Sequence, residues 1–365
     1  MSETTSLDQL RGQIDALDTQ IQTLINQRGQ LAQQVAKTKE TAGDNTTLYY
    51  RAEREAQILR KIVEGNAGPI PGVEMAQIFR EIMSSCLALE QRLQVAYLGP
   101  QGTYTQSAAI KHFGQAVNTL PAASIADVFH QVESDAVHFG VVPVENSTEG
   151  AIDMTLDLFM KSNVTICGEV ELRVRHNLLS KEKELTGIKR LFSHQQSFAQ
   201  CKQWTNANLA GVECIAVSSN AEAARRASVE KHTAAIAGEK AAEIYDLHEL
   251  VKNIEDDTDN TTRFNIIGKS VVTRSGKDKT SILATTNDTP GALFRLLQPL
   301  QQNAISMSRI ESRPSKLSTW AYVFFIDIEG HQDDTNVASA LATLKEEAAM
   351  LKVLGSYPKA VIRES

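Results

Sequence analysis

An arginine stands where this sequence has least room for a charge. Leu7, Leu10, Ile14, Leu17, Ile21, Leu24, Leu31 and Val35 recur at alternating spacings of three and four, which is a heptad seam. Arg28 fills the slot between Leu24 and Leu31, and a bare cation in such a seam is expensive unless it is paired. Lys39 lies eleven residues on, about three turns, and shares that face, while Arg11 sits on the edge of the stripe beside Leu10. Any one of them reads as a solvated or snorkelling side chain; together they describe an anion site inside a helical bundle. A second group is Thr261-Thr262-Arg263-Phe264. An arginine at a strand entry, close behind two hydroxyls, can orient a carboxylate beside a weak proton donor. Alone, the run reads first as a capping threonine and a surface arginine.

Four polar loops follow short apolar runs: Gly99-Pro-Gln-Gly-Thr103, Glu145-Asn-Ser-Thr-Glu-Gly150, Ser193-His-Gln-Gln196 and Ser218-Ser-Asn220. In open α/β sheets ligands sit outside the carboxyl ends of the strands, so these loops point to one cleft between two lobes. The first lacks the lysine and spacing of a phosphate loop, yet its helix-entry amides can hold a carboxylate. Glu255-Asp-Asp-Thr-Asp259 has neither the glycine nor the final glutamate of a calcium loop and reads as a solvated turn. Cys86, Cys167, Cys201 and Cys214 show no metal or C-x-x-C spacing. They are expected to be reduced thiols of a cytoplasmic protein, with neither metal nor cofactor called for.

These groups need elements to hold them. The heptad run, with Ser6 as its N-cap and Gly43, Asp44 and Asn45 at its end, makes a helix roughly 52 Å long at 1.5 Å per residue. A compact domain of about 100 residues has a radius of gyration near 13 Å. The helix must overshoot its own domain, so its seam needs a second chain, and an intertwined dimer is expected. Helical stretches at residues 51–65 and 72–93 follow, parted by the turn-forming GNAGPIPG. From Gln94, VAYLG, FGVVPV, VTICGEV, IKRLFS, VECIAV, AAIAG and RFNIIG alternate with helical stretches. That pattern predicts an α/β layer with largely parallel strands. After the linker TRSGKDK, the order β-α-β-β-α-β is ferredoxin-like, with Pro299 expected to kink or end its first helix.

Composition agrees with several globular domains. The chain has 365 residues, 42% of them apolar and 22% charged, which suggests two or three domains. Only 5% are aromatic and the net charge is −7, so neither nucleic acid nor an anionic membrane surface is an expected partner. The start MSETTSLDQLRG lacks a signal-peptide pattern, and no apolar run is long enough to span a membrane.

Within residues 1–92, LRGQIDALDTQIQTLINQRGQLAQQVAKTK, RAEREAQIL and IFREIMSSCLALEQ resemble the all-helical chorismate mutases. The likeness implies that Arg11, Arg28 and Arg54 grip the substrate carboxylates, with Arg11 reaching across from the partner chain. It also implies that Lys39 donates to the ether oxygen and Glu55 accepts from the substrate hydroxyl. The rearrangement is pericyclic, so holding the chair conformer and stabilising developing charge suffice. Arg51 stands where an acidic residue often sits and is not counted as a ligand. Glu90 stands where many members place a glutamine donor to the ether oxygen. Ionised, it would repel the developing oxyanion; it is expected to act protonated, its pKa raised by burial and by the substrate's charges.

YLGPQGTYTQSAA, VVPVENSTEGAI, SHQQSFAQC, SSNAEAA and NTTRF, in that order within residues 94–271, resemble the prephenate dehydratases. This implies two α/β lobes, similar to periplasmic binding proteins, with the active site between them. By motif, Thr262 is the leading catalytic candidate, Arg263 anchors a substrate carboxylate, and Asn146, Ser193 and Gln200 line the cleft, with Ser147, Thr148 and Ser218 behind them. Prephenate becomes aromatic as it loses carbon dioxide and hydroxide. The site therefore need only help the hydroxyl leave and place the carboxylate where losing charge is favourable.

Residues 278–365 resemble the ACT regulatory domains. Pro290-Gly-Ala-Leu-Phe294 and Glu311-Ser-Arg-Pro314 match the two motifs around bound L-phenylalanine, which makes Gly291, Ala292, Leu293, Glu311, Ser312 and Arg313 effector-binding candidates. The combined expectation is a multidomain chain: an all-α intertwined N-terminal domain, a two-lobed α/β middle domain and an α+β ferredoxin-like C-terminal domain. Its implied role is a bifunctional enzyme of L-phenylalanine biosynthesis, a homodimer or larger, taking chorismate to prephenate and prephenate to phenylpyruvate under inhibition by L-phenylalanine. The alternatives are an arogenate-using dehydratase of the same architecture and a non-catalytic amino-acid sensor. A sensor would carry a DNA-binding helix-turn-helix or a basic patch, and would leave Arg28 without a purpose.

Overall fold

The computed structural model describes residues 6–41, 50–286, 289–314 and 322–362, apart from the side chain of residue 40. The helix end expected at Gly43, Asp44 and Asn45 lies outside the described residues. Helix α1 (Leu7–Thr41) runs unbroken. Ser6 caps it reciprocally: the Gln9 N–H donates to Ser6 Oγ (3.3 Å) and the Ser6 N–H to Gln9 Oε1 (2.9 Å). Helices α2 (Ala52–Gly65) and α3 (Gly72–Glu90) follow, the latter three residues shorter than expected. α1 leans on α3 through small side chains: Gly29 and Ala36 are buried, and a Cβ on Gly29 would lie 3.3 Å from Leu89 Cδ1. The heptad seam is on another face. All eight of its apolar residues are exposed, Leu24 by 63%. α2 and α3 bury Leu59, Ala76 and Met83 together, and Val361 and Ile362 complete that cluster.

In chain order the middle domain holds β1 (Gln94–Leu98), α4 (Tyr104–Phe113), β2 (Asn118–Ala122), α5 (Ile125–Glu133), β3 (Phe139–Asn146), β4 (Gly150–Ala151), α6 (Asp153–Lys161) and β5 (Thr165–Arg173) as a first lobe. A second lobe holds β6 (Asn177–Ser180), β7 (Arg190–His194), α7 (Gln195–Gln200), α8 (Lys202–Asn208), β8 (Glu213–Val217), α9 (Asn220–Val229), β9 (Thr233–Ala237), α10 (Glu239–Tyr245) and β10 (His248–Val251). β11 (Thr261–Gly268) then returns to the first. The sheets run β2-β1-β3-β11-β5 and β10-β6-β9-β7-β8. β1 is parallel to β2 and β3, but β11 is antiparallel to both β3 and β5, and β6 is antiparallel to β9 and β10. The largely parallel layer expected from the sequence is corrected here. The chain leaves the first lobe on β5 and re-enters it on β11, and a returning strand beside its exit strand runs the opposite way.

The last unit comprises β12 (Asp278–Thr285), α11 (Ala292–Gln302), β13 (Met307–Pro314), β14 (Tyr322–Glu329), α12 (Thr335–Glu347) and β15 (Met350–Pro358), with sheet order β13-β14-β12-β15. α11 continues through Pro299 and ends three residues later; Gly291 caps its start at φ +76°, where a Cβ would be strained. Both helices cover one sheet face, over Ile282, Phe324 and Ile326. On the other face Leu283, Val323, Phe325, Leu354 and Tyr357 share one core with Val128, Val142 and Phe159 of the first lobe. A Cβ on Gly355 would collide with the Ile166 carbonyl, so β15 rests directly on β5. No helix among the described residues is long and apolar enough to cross a membrane.

Candidate active sites

The helical domain brings three of its candidates together. Burial pushes the Glu90 carboxyl above its ordinary pKa, while Lys39 and Arg28 pull against that. These two cations on α1 and the last residue of α3 therefore form one group at the domain's surface. Arg11 is 17 residues from Arg28, about 25 Å along the axis, so it cannot join them from the same helix; it pairs with Asp8 (3.6 Å). Arg54 is exposed. Arg51, set aside as a ligand, pairs with Glu53 (2.6 Å). The Glu55 carboxylate pairs with Arg80 (3.3 Å) in the junction with the middle domain, beside Tyr50 and His112. On α2 it is one residue, and so about 100°, from the exposed Arg54.

Between the two lobes lies a cleft of about 640 Å³, reached by all four polar loops. Two longer helices begin there, α4 capped by Thr103 Oγ1 and α9 capped by Ser219 Oγ, each accepting a backbone N–H. Gly102, at φ +87° and with Ala241 Cα 3.2 Å from where a Cβ would stand, lets the first loop pack against the second lobe. The lining contains no lysine or arginine among the described residues; its ionisable members are Glu149, His176, His194 and Tyr104.

Hydrogen bonds in the cleft wall have a fixed direction. The Thr148 N–H donates to Asn146 Oδ1 (3.0 Å), as does the Thr148 hydroxyl (2.6 Å), which sets the Asn146 amide. Asn146 Nδ2 must then donate, to Asn260 Oδ1 (2.8 Å) and to Thr262 Oγ1 (2.9 Å). Upstream, Gln200 Nε2 donates to Thr148 Oγ1 (3.4 Å), and Gln200 Oε1 lies 2.8 Å from His176 Nε2. The Tyr104 hydroxyl, which donates to the Arg175 carbonyl (2.7 Å), is 2.9 Å from His176 Nδ1. Burial lowers the His176 pKa, partly offset by Gln200 and Glu255, so the ring is neutral near pH 7. Thr262 receives a hydrogen bond on its oxygen and keeps its own proton to give.

Not every expected residue faces this cleft. Ser193 is fully buried behind it and donates to Asn220 Oδ1 (3.3 Å); Asn220 and Ser197 line the wall instead. Ser218 lines it, while Ser147 pairs with the backbone of Thr261. Arg263 does not face the cleft either. Successive side chains in a strand point to opposite faces, so with Thr262 in the cleft, Arg263 emerges on the reverse face and meets Asp327 of β14 (2.7 Å). The acidic run is exposed over residues 256–259, as expected of a solvated turn, but Glu255 is buried and accepts the His176 N–H (2.8 Å), while Asp256 accepts from Gln203 N (3.1 Å) at the start of α8. Asn260 and His176 belong to the site but had no assigned role. Asn260 sits in the NTTRF run, whereas His176 carried no sequence signal.

In the last unit, Gly291, Ala292 and Leu293 form the first turn of α11, and Glu311 and Ser312 lie on the edge strand β13. Arg313 donates to the Asp153 carbonyl (2.5 Å) and pairs with Asp157 (3.2 Å), tying β13 to α6.

Comparison with known proteins covers the whole chain. Family models match in sequence: chorismate mutase type II at residues 10–91, prephenate dehydratase at 95–271 and the ACT domain at 280–346. A curated protein of Stutzerimonas stutzeri, a bifunctional chorismate mutase/prephenate dehydratase, is 52% identical over 99% of this chain and 100% of its own. A chloroplastic arogenate dehydratase/prephenate dehydratase of Arabidopsis thaliana is 37% identical over 73% of each chain. The crystal structure of an Arthrobacter aurescens prephenate dehydratase in complex with L-Phe aligns with TM-score 0.68 and 31% identity, covering 75% of this chain and 92% of that one.

Proposed function

This chain belongs to the bifunctional chorismate mutase/prephenate dehydratases, and on that premise we propose which groups carry each reaction. The helical domain rearranges chorismate to prephenate. Arg28, Lys39 and Arg54, completed by Arg11 of the partner subunit across the apolar seam of α1, hold the two carboxylates. Lys39 and a protonated Glu90 donate to the ether oxygen as its C–O bond breaks and charge develops there.

The cleft converts prephenate to phenylpyruvate. The ring carboxylate departs as carbon dioxide, its electron pair completes the aromatic ring, and the C4 hydroxyl leaves with a proton delivered through Thr262, as water. The direction of the Asn146–Thr262 hydrogen bond carries this reading, because Asn146 donates to Thr262 Oγ1 and leaves the threonine's own proton available to the substrate hydroxyl. That no lysine or arginine lines the cleft among the described residues fits the same chemistry. A cation at the ring carboxylate would stabilise the charged ground state that decarboxylation must lose. Helix N-termini of α4 and α9, with Gln200 and Asn220, hold the pyruvyl carboxylate that stays. Feeding chorismate to the protein and following prephenate and phenylpyruvate tests the division. Thr262→Ala should stop the reaction at prephenate, and equal loss of both activities would refute it.

L-Phenylalanine is the inhibitor in this reading, held by Gly291, Ala292, Leu293, Glu311 and Ser312, as the ligand of the Arthrobacter relative suggests. Arogenate is a second substrate to test, since Glu149 supplies the cleft with one carboxylate for an amino group. Glu149→Gln should lower kcat/KM for arogenate and not for prephenate. Four unpaired thiols fit a cytoplasmic enzyme.

A further inference from the structure

The residues that face each other in the cleft have neighbours that face each other behind it. In the pairing of β11 with β3, Thr262 lies opposite Asn146 and Arg263 opposite Glu145. Alternation along the strands sends the first pair into the cleft and the second out of the back of the sheet. There the regulatory domain grips both. Arg263 Nη1 is 2.7 Å from Asp327 Oδ2 and 3.8 Å from Glu169; Glu145 is 3.6 Å from Arg263 and 2.9 Å from Arg309; Glu169 is 2.8 Å from Lys279.

The six charges alternate by domain. The dehydratase supplies Arg263, Glu145 and Glu169, and the regulatory sheet supplies Asp327, Arg309 and Lys279. Each set alone carries a net charge and the assembled set carries none. Five of the six side chains are no more than 12% exposed, Glu145 being the sixth at 37%. Asp327 and Arg309 are register partners on β14 and β13, so they move together. Asp327 is further held by the Ser281 hydroxyl (2.6 Å), itself 2.8 Å from the Tyr357 hydroxyl. Burial pushes the Asp327 carboxyl up, but Arg263, Ser281 and Arg309 outweigh it and keep it below its ordinary value, hence ionised. Arg309 Nη2 and Arg263 Nε are buried with no hydrogen-bond acceptor among the described residues, so the cluster holds donors ready for another pairing.

We infer that Asp327 and Arg309 of the regulatory domain are positioning residues for dehydration, holding the Thr262–Asn146 pair through the chain neighbours of both. A shift of β13 and β14 when an effector binds then reaches the catalytic donor one residue away, with no relay through side-chain packing. The inference rests on reading the cleft as the dehydratase site.

The test uses the full chain, with dehydratase kcat and KM, mutase kcat as an internal control, and the L-phenylalanine concentration for half-inhibition. Asp327→Asn keeps an acceptor for Ser281 and removes the charge; Arg309→Gln acts at the edge strand and is the alternate if the first variant misfolds. Each should lower dehydratase kcat about tenfold with KM nearly unchanged, and raise the half-inhibiting concentration about tenfold, leaving mutase kcat alone. Glu145→Gln added to Arg309→Gln should cost little more than either alone. A purely structural cluster would lower the melting temperature and the folded fraction without moving the half-inhibiting concentration, and that result overturns the inference. Variants within twofold of wild type in both kcat and inhibition overturn it too. Thr262→Ala with dehydratase activity intact would instead overturn the assignment of the cleft.

Discussion

The two active sites treat charge in opposite ways. The helical site gathers Arg28 and Lys39 around Glu90 on a surface that a single chain leaves open. The cleft gathers neutral donors, Thr262, Asn146, Asn260 and Gln200, between two lobes of one chain. Chemistry accounts for the contrast. Chorismate keeps both carboxylates through its rearrangement and an oxygen gains charge, so fixed cations stabilise reactant and transition state alike, and the transition state more. Prephenate sheds a carboxylate, and any cation bound to it would oppose its departure. Enclosure follows as well. A site of neutral donors is effective only where water does not compete with them, whereas ion pairs tolerate a wetter setting.

Four experiments press on that contrast, the strongest first. Thr262→Ala should cut dehydratase kcat by roughly 10²–10⁴-fold, the range for losing a positioned proton donor, while chorismate is still consumed at the wild-type rate. Leu24→Glu, in the exposed seam, should cost the mutase roughly tenfold or more at assay concentrations, recovering as protein concentration rises, and should leave dehydratase kcat in place; mutase activity independent of both concentration and this substitution would mean the site is complete in one chain. Third comes pH. Burial raises the Glu90 pKa, so mutase turnover should fall as pH rises through that value and the carboxyl loses its proton. Glu90→Gln should flatten the profile, and a wild-type mutase flat from about pH 5 to 9 counts against a protonated Glu90.

The smallest effect belongs to the junction between the two enzymes. His112, hydrogen-bonded to Tyr50 (3.1 Å), is pushed down to about 3 by burial, with Arg80 adding to it. Its folded pKa lies below the unfolded value of about 6.5, so the unfolded chain binds the extra proton in between. Stability should therefore be intact above about pH 6.5 and fall as pH drops toward 3. His112→Asn should remove part of that slope in a series of melting curves, with both activities retained at pH 7.

The sequence made much of this visible, and the failures have physical causes. The eight seam residues announced α1, because a 3.5-residue repeat survives in sequence. Short apolar runs marked the strands but not their direction, which depends on where the chain returns. Arg263 neighbours Thr262 in sequence but not in space, because in a strand neighbours are on opposite faces. The same alternation separates Arg313 from Ser312. Asp327, a lone acid in Phe324-Phe325-Ile326-Asp327-Ile328, was the available sign that this sheet is charged on its buried side. Nothing comparable flagged Glu55, whose partner Arg80 comes from another helix.

Val361 and Ile362 finish a hydrophobic cluster begun by Leu59, and this has a bearing on how the molecule is made. Those residues are synthesised about 300 positions later, on the order of 15–60 s at translation rates of roughly 5–20 residues per second. Throughout that interval α2 and α3 stand on the ribosome with their apolar face unfinished, while the dehydratase lobes emerge behind them. The helical domain is thus translated before the dehydratase lobes yet completed only after them.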